Sequence, residues 1–146
     1  MKAQIVESFF KSYDVRGNTI GEDGLNAEIY YWCGFGLVEC ILKPQNLKLL
    51  VNVFRDARTT SEEFYDSFCR GVSDGGGICE GYGLGSTDMM YAACQLNDCS
   101  GAMVTASHNP KDDNGLKMLK KAPQMLGLGS GLELIRDFTL SKIADK

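Results

Sequence analysis

The chain has 146 residues, of which 44% are hydrophobic and 23% charged, and this composition is that of one ordinary globular domain. Its formal net charge of −4 argues against a nucleic-acid partner, because binding to a phosphate backbone normally requires an excess of Lys and Arg. The most apolar run, residues 29–38, is far shorter than the roughly 20 residues that span a bilayer. The N-terminus also lacks the apolar segment of a signal peptide. We therefore expect a cytoplasmic protein with no membrane or nucleic-acid partner.

Six cysteines are present, but their pattern favours reduced thiols over disulfides or a zinc site. There is no Cys-x-x-Cys pair, and His108 is the only histidine in the sequence. The common Cys/His zinc spacings are therefore absent.

The first half of the chain predicts a helix, a strand and a second helix. Apolar residues recur at helical spacing over 23–43, and this helix should end before Pro44. Residues 47–54 read as a buried strand. Thr60 and Glu63 have the spacing of a capping box for the next helix, which the glycines at 75–77 should stop.

The second half continues the alternation of strands and helices. Strands are predicted over 78–82, 102–105 and 116–119, and Ser86 or Thr87 should cap the helix that follows the first of them. Ser130 and Glu133 form another capping-box pattern before a last helix. This order implies a single layered α/β sandwich, with functional loops at the carboxyl ends of the strands.

The segment with the clearest chemical potential is 105–110, Thr-Ala-Ser-His-Asn-Pro, followed by 113–117, Asp-Asn-Gly-Leu-Lys. Ser107 lies at the end of a predicted buried strand, and Pro110 resists continuation into a helix, so the serine should be exposed in a tight loop. A phosphoserine would need cations to offset its charge of roughly −1.5 to −2. Lys117, Arg16 and His108 are the candidates.

A purely structural interpretation remains open for each of these residues. Ser107 and Asn109 would then satisfy backbone groups in a turn, and Asn114-Gly115 would be a hairpin turn before the next strand. Arg16 and Lys117, taken singly, are typical solvated surface charges. The segment 55–58, Arg-Asp-Ala-Arg, suggests a structural ion-pair cluster at a strand end.

Other site classes fit the sequence less well. A Ser-His-Asp hydrolase is disfavoured because His108 directly follows Ser107, and the Gly-x-Ser-x-Gly nucleophile elbow is absent. The glycines at 81, 83 and 85 lack the spacing of a dinucleotide-binding loop, and no P-loop motif occurs.

Four segments together resemble the N-terminal domain of the α-D-phosphohexomutases, the phosphomannomutase and phosphoglucomutase family. The most specific is 101–110 with 114–117, which is similar to the family's phosphoserine loop. Residues 10–17 resemble the opening segment of that domain, 55–58 its Asp-x-Arg segment, and 85–87 the start of one of its helices. The resemblance runs in register from about residue 9 to about residue 138.

The resemblance implies a three-layer α/β/α sandwich with a small mixed sheet, and a role for each site residue. Ser107, once phosphorylated, would pass its phosphoryl group to the substrate and bind Mg²⁺ through a phosphoserine oxygen. Arg16, Lys117 and His108 would be its catalytic partners, with Arg16 and Lys117 in charge stabilisation and proton transfer. Tyr13 and Asn109 would contribute to substrate binding.

The implied reaction moves a phosphoryl group between the 1- and 6-positions of a hexose phosphate through a bisphosphate intermediate, with a glucose 1,6-bisphosphate-type activator. Residues 1–146 would form domain I, and the later family domains, which hold the remaining magnesium ligands and read the sugar, would lie outside this chain. We expect the isolated chain to be inactive or to need those domains in cis or in trans. A non-catalytic α/β module that binds a partner stays open as the alternative.

Overall fold

A computed structural model describes residues 1–144 and shows an α/β fold built on one mixed sheet. The helices are α1 (Ala3–Ser8), α2 (Ala27–Gly36), α3 (Ser61–Asp74), α4 (Thr87–Asn97) and α5 (Leu132–Ile143), and α2 continues directly into a π-helical segment, Leu37–Leu42. The strands are β1 (Val15–Asn18), β2 (Leu50–Arg55), β3 (Ile78–Leu84), β4 (Ser100–Val104), β5 (Asp113–Lys121) and β6 (Gln124–Met125). Within 1–144 no helix is long and apolar enough to cross a membrane.

The strand order is β1-β5-β4-β2-β3, with β6 also paired to β5. Strands β2, β3 and β4 run parallel, whereas β5 is antiparallel to β4, β1 and β6. The carboxyl ends of the three parallel strands therefore meet at one edge of the sheet, and the loop that carries Ser107 leaves from that edge. The predicted mixed sheet is confirmed.

Helices cover both faces of the sheet, as the three-layer expectation requires. On one face α2, its π-helical continuation, α3 and α5 bury a large core that includes Ile29, Leu37 and Phe68. On the other face α4 buries Met90 and Cys94 in a smaller cluster against β2, β4 and β5. All six cysteines are free thiols, and burial raises the pKa of Cys33 to about 12.

Most predicted elements occur within a few residues of their expected bounds, but two of the predicted caps are wrong. Ser86 caps α4 as expected, since its hydroxyl accepts a hydrogen bond from the Met89 backbone. Thr60 occupies the N-cap position of α3 as predicted, but its side chain makes no capping bond, and its hydroxyl accepts from Asn114. Helix α5 begins after Gly131, and Ser130 is therefore not its N-cap, although Glu133 does accept from the backbone N–H of Gly131.

The hairpin turn considered for Asn114-Gly115 is also wrong. Both residues lie within β5, opposite Gly17 and Arg16 of β1. Asn114 is fully buried and its amide donates to the hydroxyls of Thr60 and Ser61. A side chain with buried partners of this kind fixes the strand where the local sequence alone favours a turn.

Candidate active site

Ser107 lies just beyond the end of β4 in an exposed loop, as predicted. Its backbone is left-handed, with φ of 56°, which is unfavourable for a residue that has a Cβ. Its backbone N–H donates to the Thr105 hydroxyl at 3.0 Å, while its own hydroxyl makes no hydrogen bond to any part of residues 1–144. The serine oxygen is thus open to a ligand while the backbone beneath it is fixed.

Asp56, at the exit of β2, fixes the start of this loop. Its carboxylate accepts from the Thr105 hydroxyl at 2.6 Å and from the Ser61 hydroxyl at 2.5 Å. Burial alone would raise the pKa of this carboxyl, but the hydrogen bonds from Ser61 and Thr105, the backbone N–H of Arg58 and the Arg58 charge outweigh it, and the pKa is lowered. Asp56 is therefore an ionised acceptor at neutral pH.

Arg58 directly contacts the exposed loop of residues 107–112 before β5, called the serine loop below. It pairs with Asp56 at 3.1 Å, which confirms part of the ion-pair cluster predicted for segment 55–58. Arg55 does not join it: its guanidinium donates to the backbone carbonyl of Asp56. Its guanidinium also donates to the backbone carbonyls of Ser107 and Asn109, at 2.8 and 2.9 Å. This contact with the loop was not predicted, because it depends on β2 and β4 being neighbours in the sheet, although about 45 residues separate them in sequence.

Arg16 lies on β1 and reaches the same loop from the other side. One terminal nitrogen of its guanidinium pairs with the Asp14 carboxylate at 2.6 Å, and the other contacts the Asn109 side-chain oxygen at 3.4 Å. Its Nε is buried and finds no hydrogen-bond partner within 1–144. Arg16 is therefore tethered next to the loop with one donor unsatisfied.

Lys117 shares a sheet face with Arg16. In the β1–β5 pair Arg16 is opposite Gly115, so Lys117, two residues further along β5, is its diagonal neighbour on the same face, at roughly 7–8 Å between Cα atoms. Lys117 is half-buried and forms no ion pair or hydrogen bond with the described residues. Two cations thus stand on one face beside the end of β4.

Gly115 permits the close approach of these elements. A Cβ at this position would lie 2.5 Å from the Val15 carbonyl oxygen and 2.7 Å from that of Thr105. The Gly115 carbonyl accepts from the Thr105 backbone and from the buried Tyr30 hydroxyl, at 3.0 and 2.9 Å. Any side chain here would push β1, and Arg16 with it, away from the serine loop.

The other predicted site residues are placed less tightly. Asn109 donates to Asp113 at 3.1 Å, so its amide is used in holding the loop. His108 is exposed and has no partner in the described chain. Tyr13 is 69% exposed with its ring against Gly127, and within residues 1–144 it makes no hydrogen bond to the serine loop.

The described residues do not form a complete magnesium site. Among residues 1–144, no three His, Cys, Asp or Glu side chains cluster in a way that could hold a metal ion. Asp113, at the end of the loop, already accepts from Asn18 and Asn109. Because Mg²⁺ usually requires carboxylates in a near-octahedral arrangement, Ser107 alone would not retain it.

Comparison with known proteins assigns the chain to a family. Residues 7–133 match the family model described as "Phosphoglucomutase/phosphomannomutase, alpha/beta/alpha domain I". A phosphomannomutase of Klebsiella pneumoniae is 38% identical over 128 residues, which cover 87% of this chain and 77% of that protein. The chain therefore belongs to the phosphoglucomutase/phosphomannomutase family and corresponds to its domain I.

Two further relatives show how much of a longer family member the chain represents. A phosphomannomutase/phosphoglucomutase of Pseudomonas syringae pv. tomato is 38% identical over 114 residues, covering 77% of this chain but 24% of that protein. A solved structure of a family protein from Burkholderia thailandensis superimposes with a TM-score of 0.81 at 26% identity, covering 92% of this chain and 30% of that one. The chain thus spans about a quarter of the length of most curated relatives it matches.

Proposed function

We propose that this chain is the nucleophile domain of a phosphohexomutase, in which Ser107 accepts a phosphoryl group from a hexose phosphate and returns it. The observation that carries the proposal is the exposed, unpartnered hydroxyl of Ser107 on a loop whose backbone is fixed. Phosphoryl transfer depends mainly on positioning and on neutralising charge, and a nucleophile held in one conformation meets the first requirement.

Arg16 and Lys117 would supply the positive charge that neutralises the phosphoryl group. A phosphate on Ser107 brings a charge of roughly −1.5 to −2, and these two cations lie side by side on the sheet face next to the loop. The Nε of Arg16 is buried, but the Arg16 side chain as a whole is 36% exposed, so its guanidinium can supply positive charge to a phosphate. The ammonium of Lys117, which pairs with no residue in 1–144, is a second cation. His108 is free to contact a sugar phosphate from the loop itself.

The proposed step balances without an external reagent. The Ser107 oxygen forms a bond to phosphorus, the P–O bond to the sugar breaks, and a hexose bisphosphate leaves as a hexose monophosphate. Lys117 gives one proton to the released sugar oxygen and takes up the hydroxyl proton of Ser107 in exchange, while Arg16 stays protonated and stabilises the charge. In the opposite direction, phosphorylated Ser107 passes its phosphoryl group to the free hydroxyl of a hexose monophosphate, and the proton of that hydroxyl goes to the Ser107 oxygen. The bisphosphate so formed turns round in the site, and its other phosphoryl group then moves to Ser107.

Mg²⁺ would join the phosphorylated Ser107 only with ligands from outside the described residues. The sugar would likewise be read by other parts of the protein, since the family resemblance implies that the sugar-reading residues lie in the later domains. We propose that residues 1–146 form domain I and need the remaining mutase domains, in cis or in trans, for full turnover.

Mass spectrometry of the segment 101–117, before and after incubation with glucose 1,6-bisphosphate, tests the role of Ser107. We expect one added phosphate on Ser107 in the wild-type chain, none in Ser107→Ala, and normal labelling in Ser73→Ala, which removes an exposed hydroxyl on α3. A persistently unmodified Ser107 would contradict the proposal and favour the non-catalytic, partner-binding alternative. Labelling of Ser107 by a fluorophosphonate probe would point to a hydrolase instead.

A further inference from the structure

The guanidinium of Arg58 uses every donor that it has. Its Nε–H binds Asp56, and its four terminal N–H groups reach four backbone carbonyls. Those carbonyls belong to Ser107, Asn109, Pro110 and Asp113, at 2.8, 2.9, 2.6 and 3.1 Å respectively. An arginine has five N–H donors, so none is left for a substrate. The side chain is only 13% exposed.

The four carbonyls span the whole serine loop. They begin at Ser107 itself and end at Asp113, where β5 starts. The loop therefore wraps around one planar cation that comes from a different strand, β2. Residues 107, 108 and 110–112 are exposed, so burial of apolar side chains contributes little to the shape of this segment. Hydrogen bonds take that role. Those to Arg58 act together with two turn bonds, from the Asn109 N–H to the Ala106 carbonyl and from the Asp113 N–H to the Pro110 carbonyl.

Both backbone groups of Ser107 are linked to Asp56 and Arg58, the carbonyl directly and the N–H through Thr105. Its carbonyl accepts from Arg58, and its N–H donates to Thr105, whose hydroxyl in turn donates to Asp56. Fixing the groups on either side of one Cα fixes its φ and ψ. The pair Asp56 and Arg58 therefore stabilises the left-handed conformation of Ser107, which is unfavourable in isolation.

We infer that Arg58 is a positioning residue for phosphoryl transfer, which sets the direction of the Ser107 hydroxyl by binding the carbonyls of the loop around it. This inference rests on the proposed role of Ser107 as the phosphoryl acceptor. Arg58 itself does not touch the phosphate, because all of its donors are occupied. Its effect is on the rate of transfer and not on the affinity for the sugar phosphate.

Unlike the serine loop, the sheet and the hydrophobic clusters do not depend on Arg58. The strands β2 and β4 remain joined by their own ladder and by the Asp56 N–H to Val104 carbonyl bond of 3.0 Å. The two hydrophobic clusters include no part of the exposed loop. Replacing the guanidinium should therefore loosen the loop while leaving the sheet and its helices in place.

Arg58→Lys is the informative variant, because it keeps the positive charge but offers three donors without the planar geometry. The matched control is Arg70→Lys on α3, where the arginine is exposed and, among residues 1–144, has Ser67 as its one hydrogen-bond partner. Two quantities are measured on the full chain. They are the hydrogen-exchange rate of the Ser107 amide by NMR, and the rate of Ser107 phosphorylation as a function of glucose 1,6-bisphosphate concentration.

In Arg58→Lys we expect faster exchange at Ser107, and a maximal phosphorylation rate lower by about 100-fold, since small misplacements of a nucleophile have effects of that order. The half-saturating concentration of glucose 1,6-bisphosphate should be unchanged, and Arg70→Lys should match the wild type. Thr105→Val, which keeps the shape but removes the hydroxyl that binds the Ser107 N–H, should change the rate in the same direction.

Several results would overturn the inference while leaving the role of Ser107 intact. One is an unchanged maximal rate with a raised half-saturating concentration, which would mean that Arg58 binds the ligand. Another is the loss of folding in Arg58→Lys, seen by circular dichroism, which would make Arg58 part of the core. If the wild-type chain takes up no phosphate, the proposed function fails, and the exchange rate alone decides whether Arg58 orders the loop.

Discussion

The left-handed backbone of Ser107 predicts that glycine at this position raises stability. A residue with a Cβ in this region costs about 1–2 kcal/mol relative to right-handed backbone, and glycine does not have this cost. Glycine also makes the unfolded chain more flexible, which offsets about 0.4–1 kcal/mol of the gain. Ser107→Gly should therefore be more stable than Ser107→Ala by about 0.5–1 kcal/mol.

The comparison with Ser107→Ala isolates the backbone, because both variants lack the hydroxyl. For a chain of this length the difference corresponds to about 2–3 °C in the midpoint of thermal unfolding. Differential scanning calorimetry at neutral pH, supported by urea titration, measures it. Both variants should accept no phosphate.

Ala92→Gly is the matched control, since Ala92 is exposed in the middle of α4. There the same exchange of alanine for glycine should lower stability by about 1 kcal/mol. Glycine in place of alanine should therefore raise stability at position 107 and lower it at position 92. Equal or lower stability of Ser107→Gly relative to Ser107→Ala would refute the idea that this loop stores backbone strain.

Three further predictions concern the support of the site. Gly115→Ala should lower the free energy of unfolding by about 1–3 kcal/mol in urea titrations, because the new Cβ would meet backbone atoms on two sides. The control Gly36→Ala should change it by less than about 0.5 kcal/mol, because its Cβ would meet a movable Phe138 ring and alanine has the higher helix propensity. Tyr30→Phe should lower the free energy of unfolding by about 1 kcal/mol in the same assay. An unchanged value would show that the hydrogen bond from the Tyr30 hydroxyl to the Gly115 carbonyl does not stabilise the fold. The lowered pKa of Asp56 means that its stabilisation is complete above the unfolded carboxyl value of about 3.9 and is lost as the pH falls through the folded value. Unfolding midpoints from pH 5 to pH 2 should therefore fall less steeply in Asp56→Asn, and parallel curves would contradict this.

The sequence predicted the long, strongly patterned elements and missed the short ones. Helices α3 and α4 and strands β2 and β4 have clear periodicity or caps, whereas α1, β1 and β6 span six, four and two residues and leave no pattern to detect. The prediction of a Thr60 cap failed for a different reason. Asn114, which is 54 residues away, competes for the Thr60 hydroxyl, and no local rule anticipates such a partner.

The site shows the same division between local and long-range information. The exposed position of Ser107 followed from its place after a buried strand. The neighbouring placement of Arg16 and Lys117 depends on the antiparallel pairing of β1 with β5, which sequence spacing does not specify. The contact of Arg58 with the loop likewise depends on strand order. The resemblance to a known family indicated which residues belong together, and the sheet topology explains how they meet.

The four loop acceptors of Arg58 are all main-chain oxygens, and this has a consequence for how the site tolerates change. Every amino acid carries such an oxygen, so these four hydrogen bonds do not require a particular side chain on the residues that accept them. Substitutions at Ser107 or His108 can therefore alter reactivity while the loop keeps its shape. Arg58, which follows β2, helps to set the shape of the loop, whereas the loop after β4 carries the reactive side chains. New reactivity could therefore be introduced in the loop without redesigning the rest of the fold.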